Sequence, residues 1–469
     1  MEQVALAERE NQKFSGKRLL VDFLVMVVFP NLFFYLFAFH FSLSRPLVNF
    51  DYIIAAFVFL LGFRFFGSLL LLVAFFFDAI FLVGQVLPVF RFTDIFYMLG
   101  FVGISSALYQ VIFVAAIVLL VVKIAVFMRY SRRGIELSTM FLINGFLIAY
   151  VFFLVTTDDG SNRMWRINGI APIASLTVSN IDLRYDGFVQ SFSHDTKPLE
   201  PSPYKGLTEG WLHSPDDAPD KIMLIVSESW GVTDPKITDS LLQPIRELSS
   251  GVSDFENGLL AFSGVTVEAE LRELCGLTSK NFNLGGLESG LEGCLPNELR
   301  QNGYRTAGIH GAFGLMYDRA NWYPKAGFEE TLFFENEDWP RRCYSFPGAC
   351  DFNIADKIAR YYENEDKVFL YWLTLNSHAF YDTRDIEFDV FDCNEHGIPV
   401  GSSTCRNLKL HAQFFFRLAE ELKSPAFEGV HVAIVGDHEP LILDAEEKAR
   451  FYKEAVVPWV SFVVGSGAE

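Results

Sequence analysis

The sequence predicts two domains of different class: an N-terminal transmembrane domain of about five helices and an α/β sandwich outside the membrane. Three observations lead to this prediction. Residues 19–157 are almost continuously apolar, whereas residues 158–469 have the mixed composition of a water-soluble domain. From residue 221 onward, short apolar strands alternate with helical stretches. All six cysteines lie in the polar half of the chain.

The apolar half divides into five stretches, each close to the roughly 20 residues that cross a bilayer. Because four stretches follow the first, the first is not a cleaved signal peptide alone. The second stretch is short, so its boundary with the third is weak. Asp78 falls inside the third, where a carboxylate is a functional candidate; facing a neighbouring helix or lying close to the lipid head groups are the alternatives. The predicted spans are residues 19–41, 50–65, 68–90, 106–128 and 137–157.

Basic residues set the orientation of these spans, since loops on the cytoplasmic side carry an excess of lysine and arginine. They occur before the first span, after the second and after the fourth, whereas the alternate loops hold only Arg45 and Arg91. The amino terminus is therefore expected in the cytoplasm, and an odd number of crossings places residue 158 onward outside. The residues on the cytoplasmic side are Lys13, Lys17, Arg18, Arg64, Arg129, Arg132 and Arg133.

The cysteines indicate the same compartment independently. An even number confined to one domain is typical of three disulfides in an oxidising environment, with six reduced thiols as the alternative. Of fifteen connectivities, pairing of neighbours in the sequence is the simplest. No Cys-x-x-Cys spacing indicates a metal bound through sulfur. The six residues are Cys275, Cys294, Cys343, Cys350, Cys393 and Cys405.

Composition divides the chain into three segments. Residues 1–157 form the predicted transmembrane domain, residues 158–220 an interfacial helix and proline-rich linker, and residues 221–469 the globular domain. In the globular domain, apolar runs predict the strands of a largely parallel sheet, with helices between them. The predicted strands are 222–226, 369–373 and 430–435, and the predicted helices include 240–250, 295–302, 351–364 and 406–423.

Three of the predicted strands are followed by metal-binding or acid–base residues. Glu228 follows the first strand and His378 the second. Asp437 and His438 follow the third. Because the carboxyl ends of parallel strands meet at one edge of a sheet, these side chains are expected to lie together. Two carboxylates and an imidazole are suitable ligands for zinc, or for manganese in an oxygen-rich site.

A metal centre that acts on phosphate esters also needs a nucleophile. The segment from Ser263 to Glu268 opens a predicted helix, and backbone amides at a helix amino terminus stabilise phosphate charge. A metal would lower the pKa of a hydroxyl placed there. Thr266 is the expected nucleophile and Ser263 the alternative. The other interpretation of Thr266 is a helix cap.

The order Glu-Ser, Thr at a helix start, His-Gly, Ser-His and Asp-His resembles that of lipoteichoic acid synthases and phosphoethanolamine transferases. These are membrane members of the alkaline phosphatase and sulfatase superfamily, and the resemblance covers nearly the whole chain. It implies a five-helix transmembrane domain plus an extracytoplasmic α/β sandwich of the alkaline-phosphatase/sulfatase type. It also implies one divalent metal, with zinc expected and manganese or magnesium as alternatives. The implied ligands are Glu228, Thr266, Asp437 and His438, with Thr266 also the nucleophile.

The same resemblance implies residues that bind the substrate. His378 matches a histidine that contacts the substrate phosphate or the leaving group. His310, Tyr317 and Arg319 match a motif in lipoteichoic acid synthases, where the aromatic residue and the arginine contact glycerol phosphate. The planar fork of Arg319 suits a phosphodiester, and an ordinary surface salt bridge is the alternative.

The cysteine frame is similar to that of phosphoethanolamine transferases and implies the disulfides 275–294, 343–350 and 393–405. Cys275 is followed by Gly276 and Leu277 rather than by the Cys-x-Pro-x-Arg pattern of true sulfatases, so hydrolysis of sulfate esters is not expected.

The function implied by the resemblance is transfer of a phospholipid head group to an envelope glycan or lipid-linked sugar through a phosphothreonine intermediate. The three disulfides favour phosphoethanolamine, whereas Tyr317 and Arg319 favour phosphoglycerol. A lipid-binding regulator without catalysis is a further alternative, and spans without inverted repeats suit an anchor better than a transport protein. The expected location is the inner membrane, multi-pass, with a periplasmic catalytic domain. A net charge of −19 without a basic stripe excludes nucleic acid as a partner.

Overall fold

The structure is a computed structural model in which the chain divides into two compact units. The N-terminal unit comprises Met1–Ile95 and Ala107–His194, and the C-terminal unit comprises Phe96–Ser106 and Asp195–Glu469. The residues described are 15–40, 43, 45–86, 99, 102–103, 107–156, 172–183, 199–248, 251–279, 284, 286–379 and 381–465.

Apolar helices form the N-terminal unit. Three of them, among the described residues, have the length and composition to cross a membrane: Gly16–Phe39, Arg64–Leu82 and Gln110–Arg133. Phe50–Leu60 and Leu137–Phe153 are shorter apolar helices. Three of the five predicted spans thus correspond to a described helix of spanning length, and the count of five stays a prediction. The helices of this unit are α1 Gly16–Phe23, α2 Phe29–His40, α3 Phe50–Leu60, α4 Arg64–Val86, α5 Ala107–Tyr130, α6 Leu137–Thr156 and α7 Leu176–Leu183.

Asp78, in helix α4, is paired with an arginine. Arg45 donates to the two carboxylate oxygens of Asp78 at 2.8 and 2.7 Å, and it also donates to Asn31 at 2.9 Å. All three side chains are buried, and a buried charge is tolerated when it is paired and hydrogen-bonded. Asp78 is therefore paired within the helical unit.

A mixed sheet of seven strands organises the C-terminal unit, in the order β5-β11-β10-β4-β9-β7-β8. The five strands from β10 to β8 are parallel, as predicted, but β11 is antiparallel to both β10 and β5. The central strands are buried along nearly their whole length, which is typical of parallel strands covered on both faces. The seven strands are β4 Lys221–Ser227, β5 Val252–Ala261, β7 Arg305–His310, β8 Glu330–Leu332, β9 Val368–Leu373, β10 His431–Gly436 and β11 Val456–Val464.

Helices pack on both faces of this sheet. On one face, side chains such as Ile225, Trp372 and Ile434 share a core with three helices, α9, α13 and α14. On the other face, the ring of Tyr323 from helix α12 meets that of Tyr371 at 6.0 Å. The helices of the unit are α8 Glu209–His213, α9 Pro235–Arg246, α10 Thr266–Cys275, α11 Leu295–Gln301, α12 Arg319–Ala326, α13 Asp351–Ile358, α14 Ser403–Glu421 and α15 Ala445–Phe451.

Two short strand pairs lie outside the main sheet. In the N-terminal unit, β1 (Val48–Asn49) pairs in parallel with β2 (Ile173–Ala174). In the C-terminal unit, part of the proline-rich run predicted as a linker forms β3 (Leu199–Pro201), antiparallel to β6 (Leu277–Ser279). Of the predicted interfacial helix, the residues before Pro172 lie outside the described part of the chain.

Three disulfides pair the six cysteines, so none of the six is free. The pairs are those that the family resemblance implies. They are Cys275–Cys294, Cys343–Cys350 and Cys393–Cys405.

Candidate metal centre

The candidate metal ligands are brought together by the pairing of β4 with β10. These parallel neighbours are in register up to their last residues, Ser227 and Gly436. Glu228 follows β4 directly, and Asp437 and His438 follow β10. Both carboxylates therefore emerge at the same edge of the sheet, as expected for the carboxyl ends of parallel strands.

Four side chains converge at this edge. Ligand atoms of Glu228, Asp437 and His438 all lie within 4.8 Å of one another. His438 Nε2 is 3.6 Å from Glu228 Oε1 and 3.3 Å from Asp437 Oδ2. Thr266 Oγ1 is 3.2 Å from Glu228 Oε2 and 3.4 Å from His438 Nε2. The structure thus brings together the four residues that the sequence indicates as ligands.

The state of His438 and Asp437 fits a divalent cation. Nδ1 of His438 donates to the carbonyl oxygen of Glu439 at 2.8 Å, which turns Nε2 toward the cluster, where a cation would take the place of a proton. Asp437 Oδ2 is buried and has no hydrogen-bond donor among the described residues. Because an unsatisfied buried carboxylate oxygen is costly, a cation at this point would stabilise it. The donor set of two carboxylates, an imidazole and a hydroxyl suits zinc, with manganese or magnesium as alternatives.

Burial and mutual repulsion change the protonation of these carboxylates. Burial, and then the charge of Glu228, raises the pKa of Asp437 to about 8. Burial also acts to raise the pKa of Glu228, but the charges of His378 and His438 outweigh it, so that this pKa lies below its usual value. The pair therefore holds a proton at neutral pH, which a bound cation would displace.

Thr266 is the first residue of α10, and its hydroxyl faces the cluster. The cap position belongs to Val265, whose backbone N–H donates to the Glu268 carboxylate at 3.0 Å. Thr266 is therefore not the helix cap that was its alternative interpretation. Ser263, the alternative nucleophile, is exposed, whereas Thr266 is buried against Glu228.

The two other predicted histidines are held by backbone carbonyl groups. His378 Nδ1 is 2.6 Å from the Ala379 oxygen, and the imidazole packs on Phe346 with ring centroids 4.7 Å apart. His310 ends β7, is buried, and has Nδ1 3.1 Å from the Leu373 oxygen. Burial, followed by the charge of Arg319, lowers the pKa of His310 well below its usual value, so His310 is neutral at physiological pH.

Arg319 has a carboxylate partner inside the protein. Its Nε donates to both carboxylate oxygens of Glu270, at 3.1 and 3.0 Å, and its Nη2 donates to Oε2 at 2.5 Å. The guanidinium lies over the ring of Tyr317, 5.0 Å from the ring centroid. Tyr323 and Tyr371 also donate to Glu270, at 2.5 and 3.3 Å. Arg319 is thus paired inside the protein, and not in the surface salt bridge that was the alternative to a contact with substrate.

Two further residues, to which the sequence patterns assign no role, hold the site together. Ser229 donates from its backbone N–H to Asp437 Oδ1 at 2.7 Å and from its hydroxyl to Glu228 Oε1 at 2.8 Å. The carboxylate of Asp351 accepts the backbone N–H groups of Leu375 and Asn376, at 3.0 and 2.7 Å, just before His378. Ser229 is next to a predicted ligand in the sequence, whereas Asp351 is joined to the site only by contacts of the folded chain.

Comparison with known proteins adds the family. The sulfatase family model matches residues 220–456, about half of the chain and nearly all of the sheet with its strand-end cluster. The chain belongs to the sulfatase family. Its C-terminal unit is accordingly an α/β domain of the alkaline phosphatase/sulfatase type with a mixed sheet. No curated protein sequence matches the chain.

Solved structures similar to this sulfatase-family chain come from several bacteria. The lipoteichoic acid synthase LtaP from Listeria monocytogenes is 18% identical, with a TM-score of 0.39, over 52% of this chain and 65% of that one. The phosphoglycerol transferase GacH from Streptococcus pyogenes, in complex with sn-glycerol-1-phosphate, is 14% identical, with a TM-score of 0.38, over 58% and 78%. The periplasmic domain of EcEptC from Escherichia coli, in complex with Zn, is 14% identical, with a TM-score of 0.35, over 57% and 78%. The chain thus spans less than two thirds of the length of LtaP.

Proposed function

We propose that this protein is a metal-dependent transferase of the inner membrane with about five spans. It moves a phospholipid head group, phosphoethanolamine in preference to phosphoglycerol, onto an envelope glycan or lipid-linked sugar. The observation that carries the proposal is the convergence of the Thr266 hydroxyl with Glu228, Asp437 and His438 at one edge of the sheet. A hydroxyl among metal ligands is the arrangement that a covalent phosphoryl transfer requires.

In the first step, Thr266 Oγ1 reacts as the alkoxide, the form in which the second step releases it, and attacks the phosphorus of the phospholipid. The bond from phosphorus to the diacylglycerol oxygen breaks, and the head group stays on Thr266 as a phosphodiester. A bound divalent cation would lower the pKa of the hydroxyl and neutralise charge on the phosphoryl oxygens. Glu228 Oε2, 3.2 Å from Thr266 Oγ1, orients the nucleophile. His378 in its protonated form donates a proton to the leaving diacylglycerol oxygen.

In the second step, a hydroxyl of the acceptor attacks the same phosphorus and releases Thr266. His378 is the base that takes the acceptor proton, because it lost its own in the first step. His378 is partly exposed, whereas Asp437 is buried, so an incoming hydroxyl reaches the imidazole rather than the ligand carboxylate. The membrane helices support this scheme, since a covalent anchor raises the effective concentration of a lipid donor.

Replacement of Thr266 tests the proposal. In purified full-length protein in detergent, Thr266→Ala should abolish release of diacylglycerol from phospholipid, with the circular dichroism spectrum unchanged. Thr266→Ser is the matched control, because it keeps the hydroxyl and should keep measurable turnover. A peptide carrying Thr266 should gain the mass of the head group when the acceptor is omitted. Wild-type turnover by the alanine variant would exclude Thr266 as the nucleophile.

Phosphoglycerol is the second candidate head group because Arg319 lies over the ring of Tyr317, the pair that the resemblance links to glycerol phosphate. Supplying phosphatidylethanolamine and phosphatidylglycerol separately decides between the two. The mass of the adduct on Thr266 identifies the head group, since only one of them contains nitrogen. Metal content measured on the same protein tests the non-catalytic alternative, because a regulator need hold no metal.

A further inference from the structure

Ser229 links the two carboxylates of the candidate metal centre. Its backbone N–H donates to Asp437 Oδ1 at 2.7 Å, and its hydroxyl donates to Glu228 Oε1 at 2.8 Å. Both bonds leave the second oxygen of each carboxylate for other partners, and Asp437 Oδ2 has no hydrogen-bond donor among the described residues. The orientation of Ser229 therefore decides where both carboxylates point.

The backbone of Ser229 is in the left-handed region, with a φ of 54°. Residues other than glycine enter that region at a cost and stay there when their surroundings hold them. The carbonyl oxygen of Ser229 accepts two hydrogen bonds from helix α14. Asn407 Nδ2 donates at 3.2 Å and His411 Nε2 at 3.1 Å. These two residues are four positions apart, so they lie one above the other on the same face of the helix.

Both donors are fixed in the orientation that Ser229 needs. The hydroxyl of Tyr452 donates to Asn407 Oδ1 at 2.9 Å, which turns the amide nitrogen toward Ser229. Nε2 of His411 faces a carbonyl oxygen and so carries the ring proton, while Nδ1 is buried without a hydrogen-bond partner among the described residues. Burial lowers the pKa of His411 to about 4, so the imidazole is a neutral donor.

We propose that Asn407 and His411 are positioning residues of the metal centre. Both donate a hydrogen bond to the Ser229 carbonyl oxygen. These bonds orient the Ser229 N–H toward Asp437 and the Ser229 hydroxyl toward Glu228. Asn407 and His411 are both buried beneath the site, and their described hydrogen bonds go to Ser229 and Tyr452. The inference rests on one part of the proposed function, the binding of a divalent cation by Glu228 and Asp437.

Cation affinity is the measurement that tests this. Outer partners of metal ligands typically contribute a factor of about 10 to 100 in affinity. In full-length protein in detergent, Asn407→Leu and His411→Leu should each weaken zinc binding by at least about tenfold, measured by competition with a chromophoric chelator. His411→Gln keeps an N–H donor and should recover part of the loss. With cobalt in place of zinc, the leucine variants should show altered visible absorption, because the ligand geometry changes.

Gln413 provides the matched control on the same helix. It is buried, and its amide bonds the backbone of Asp385, Glu387 and Phe388 instead of Ser229. Gln413→Leu should lower the unfolding temperature but keep the zinc affinity and the cobalt spectrum of the wild type. Equal zinc affinity in wild type and in all Asn407 and His411 variants would overturn the inference alone. A wild-type protein that binds no divalent cation would overturn the proposed function itself.

Discussion

Three buried carboxylates of the C-terminal unit have different partners, and the partner determines what each one does. Asp437 Oδ2 has no hydrogen-bond donor among the described residues, which leaves it suited to a cation. Glu270 is paired with Arg319, and Asp351 accepts backbone N–H groups before His378. Residue type alone does not distinguish these roles. The strand-end position of Asp437 predicted its role, whereas Glu270 and Asp351 lie in helices whose tertiary partners are invisible in the sequence.

The pair Arg319–Glu270 yields a prediction that separates stability from substrate binding. Arg319→Gln leaves Glu270 buried without its cation, which costs about 3–5 kcal/mol and lowers the unfolding temperature. Glu270→Gln removes the carboxylate but leaves the guanidinium for the substrate. If Arg319 binds the phosphodiester, the KM for phospholipid should rise in Arg319→Gln and stay near the wild-type value in Glu270→Gln. An equal KM in the two variants would assign Arg319 to the fold alone.

Asp351 should make stability depend on pH. Burial raises its pKa from an ordinary value near 3.8 to about 7 in the folded chain. The folded state therefore binds more protons than the unfolded state between these values, and its stability falls as pH rises toward 7. Between pH 5 and 7.5 this contribution amounts to roughly 2–3 kcal/mol. Thermal unfolding at both pH values should show a smaller decrease for Asp351→Asn than for the wild type. An identical decrease in the two proteins would exclude Asp351 as the titrating group.

At the scale of elements, the central strands are the predictable part of the sheet. β4, β9 and β10 are runs of apolar residues buried on both faces, and such runs are legible in the sequence. β5 has mostly exposed and half-buried positions, and its pairing with β11 is antiparallel. The antiparallel edge of the sheet therefore lacks the buried apolar run from which the central strands were predicted. Helix α9 begins earlier than predicted, because Asp234 caps it by accepting the Lys236 N–H at 2.9 Å.

The loop closed by Cys343–Cys350 bears on the candidate site. It encloses Phe346, whose ring packs on His378. The double variant Cys343→Ser/Cys350→Ser should lose up to about 3 kcal/mol of stability by the chain-entropy argument. It should also lose part of its transfer rate at saturating donor, because His378 is no longer held against Phe346.

The disulfide Cys393–Cys405 is the control for this prediction. Its cysteines are 12 residues apart, against 7 for Cys343–Cys350, and both sulfurs lie in the core shared by α9, α13 and α14. Cys393→Ser/Cys405→Ser should therefore lose a similar stability, again up to about 3 kcal/mol, with the transfer rate retained. Unfolding temperatures and the rate of diacylglycerol release measure both effects. An equal loss of rate in the two double variants would show that the 343–350 loop has no specific role at His378.

For the whole molecule, the composition predicted the division into an apolar half and a polar half. The sequence also indicated the order of the candidate metal ligands. The residues that position the candidate ligands could not be predicted in this way. Ser229 has its role through a left-handed backbone, and Asn407 and His411 through contacts made across 178 and 182 residues. Such contacts form only in the folded chain, so no local sequence pattern predicts them.

Membrane orientation is the prediction at this scale. Lys17 and Arg18 precede the first apolar helix, and Arg132 and Arg133 follow the helix that ends at Tyr130. Osmotic shock opens the outer membrane and leaves the inner membrane intact. If these residues are cytoplasmic, protease added to such cells should degrade the C-terminal unit and spare a tag at the amino terminus. Protection of the C-terminal unit in intact membranes would reverse the assigned orientation.

The pairing of β4 with β10 has a consequence for how the ion is acquired. Ser229 and Asp437 are 208 residues apart, so the ligand set is complete only after a long stretch of polypeptide has been synthesised and paired. If the C-terminal unit is exported during translation, as the proposed orientation requires, the finished site is never exposed to the cytosolic ion pool. The order of affinities for different metals is the same on both sides of the membrane. The supply of each metal in the outer compartment then decides, as much as affinity, which ion is bound. Cells starved of zinc only in that compartment should accumulate folded protein that carries no ion.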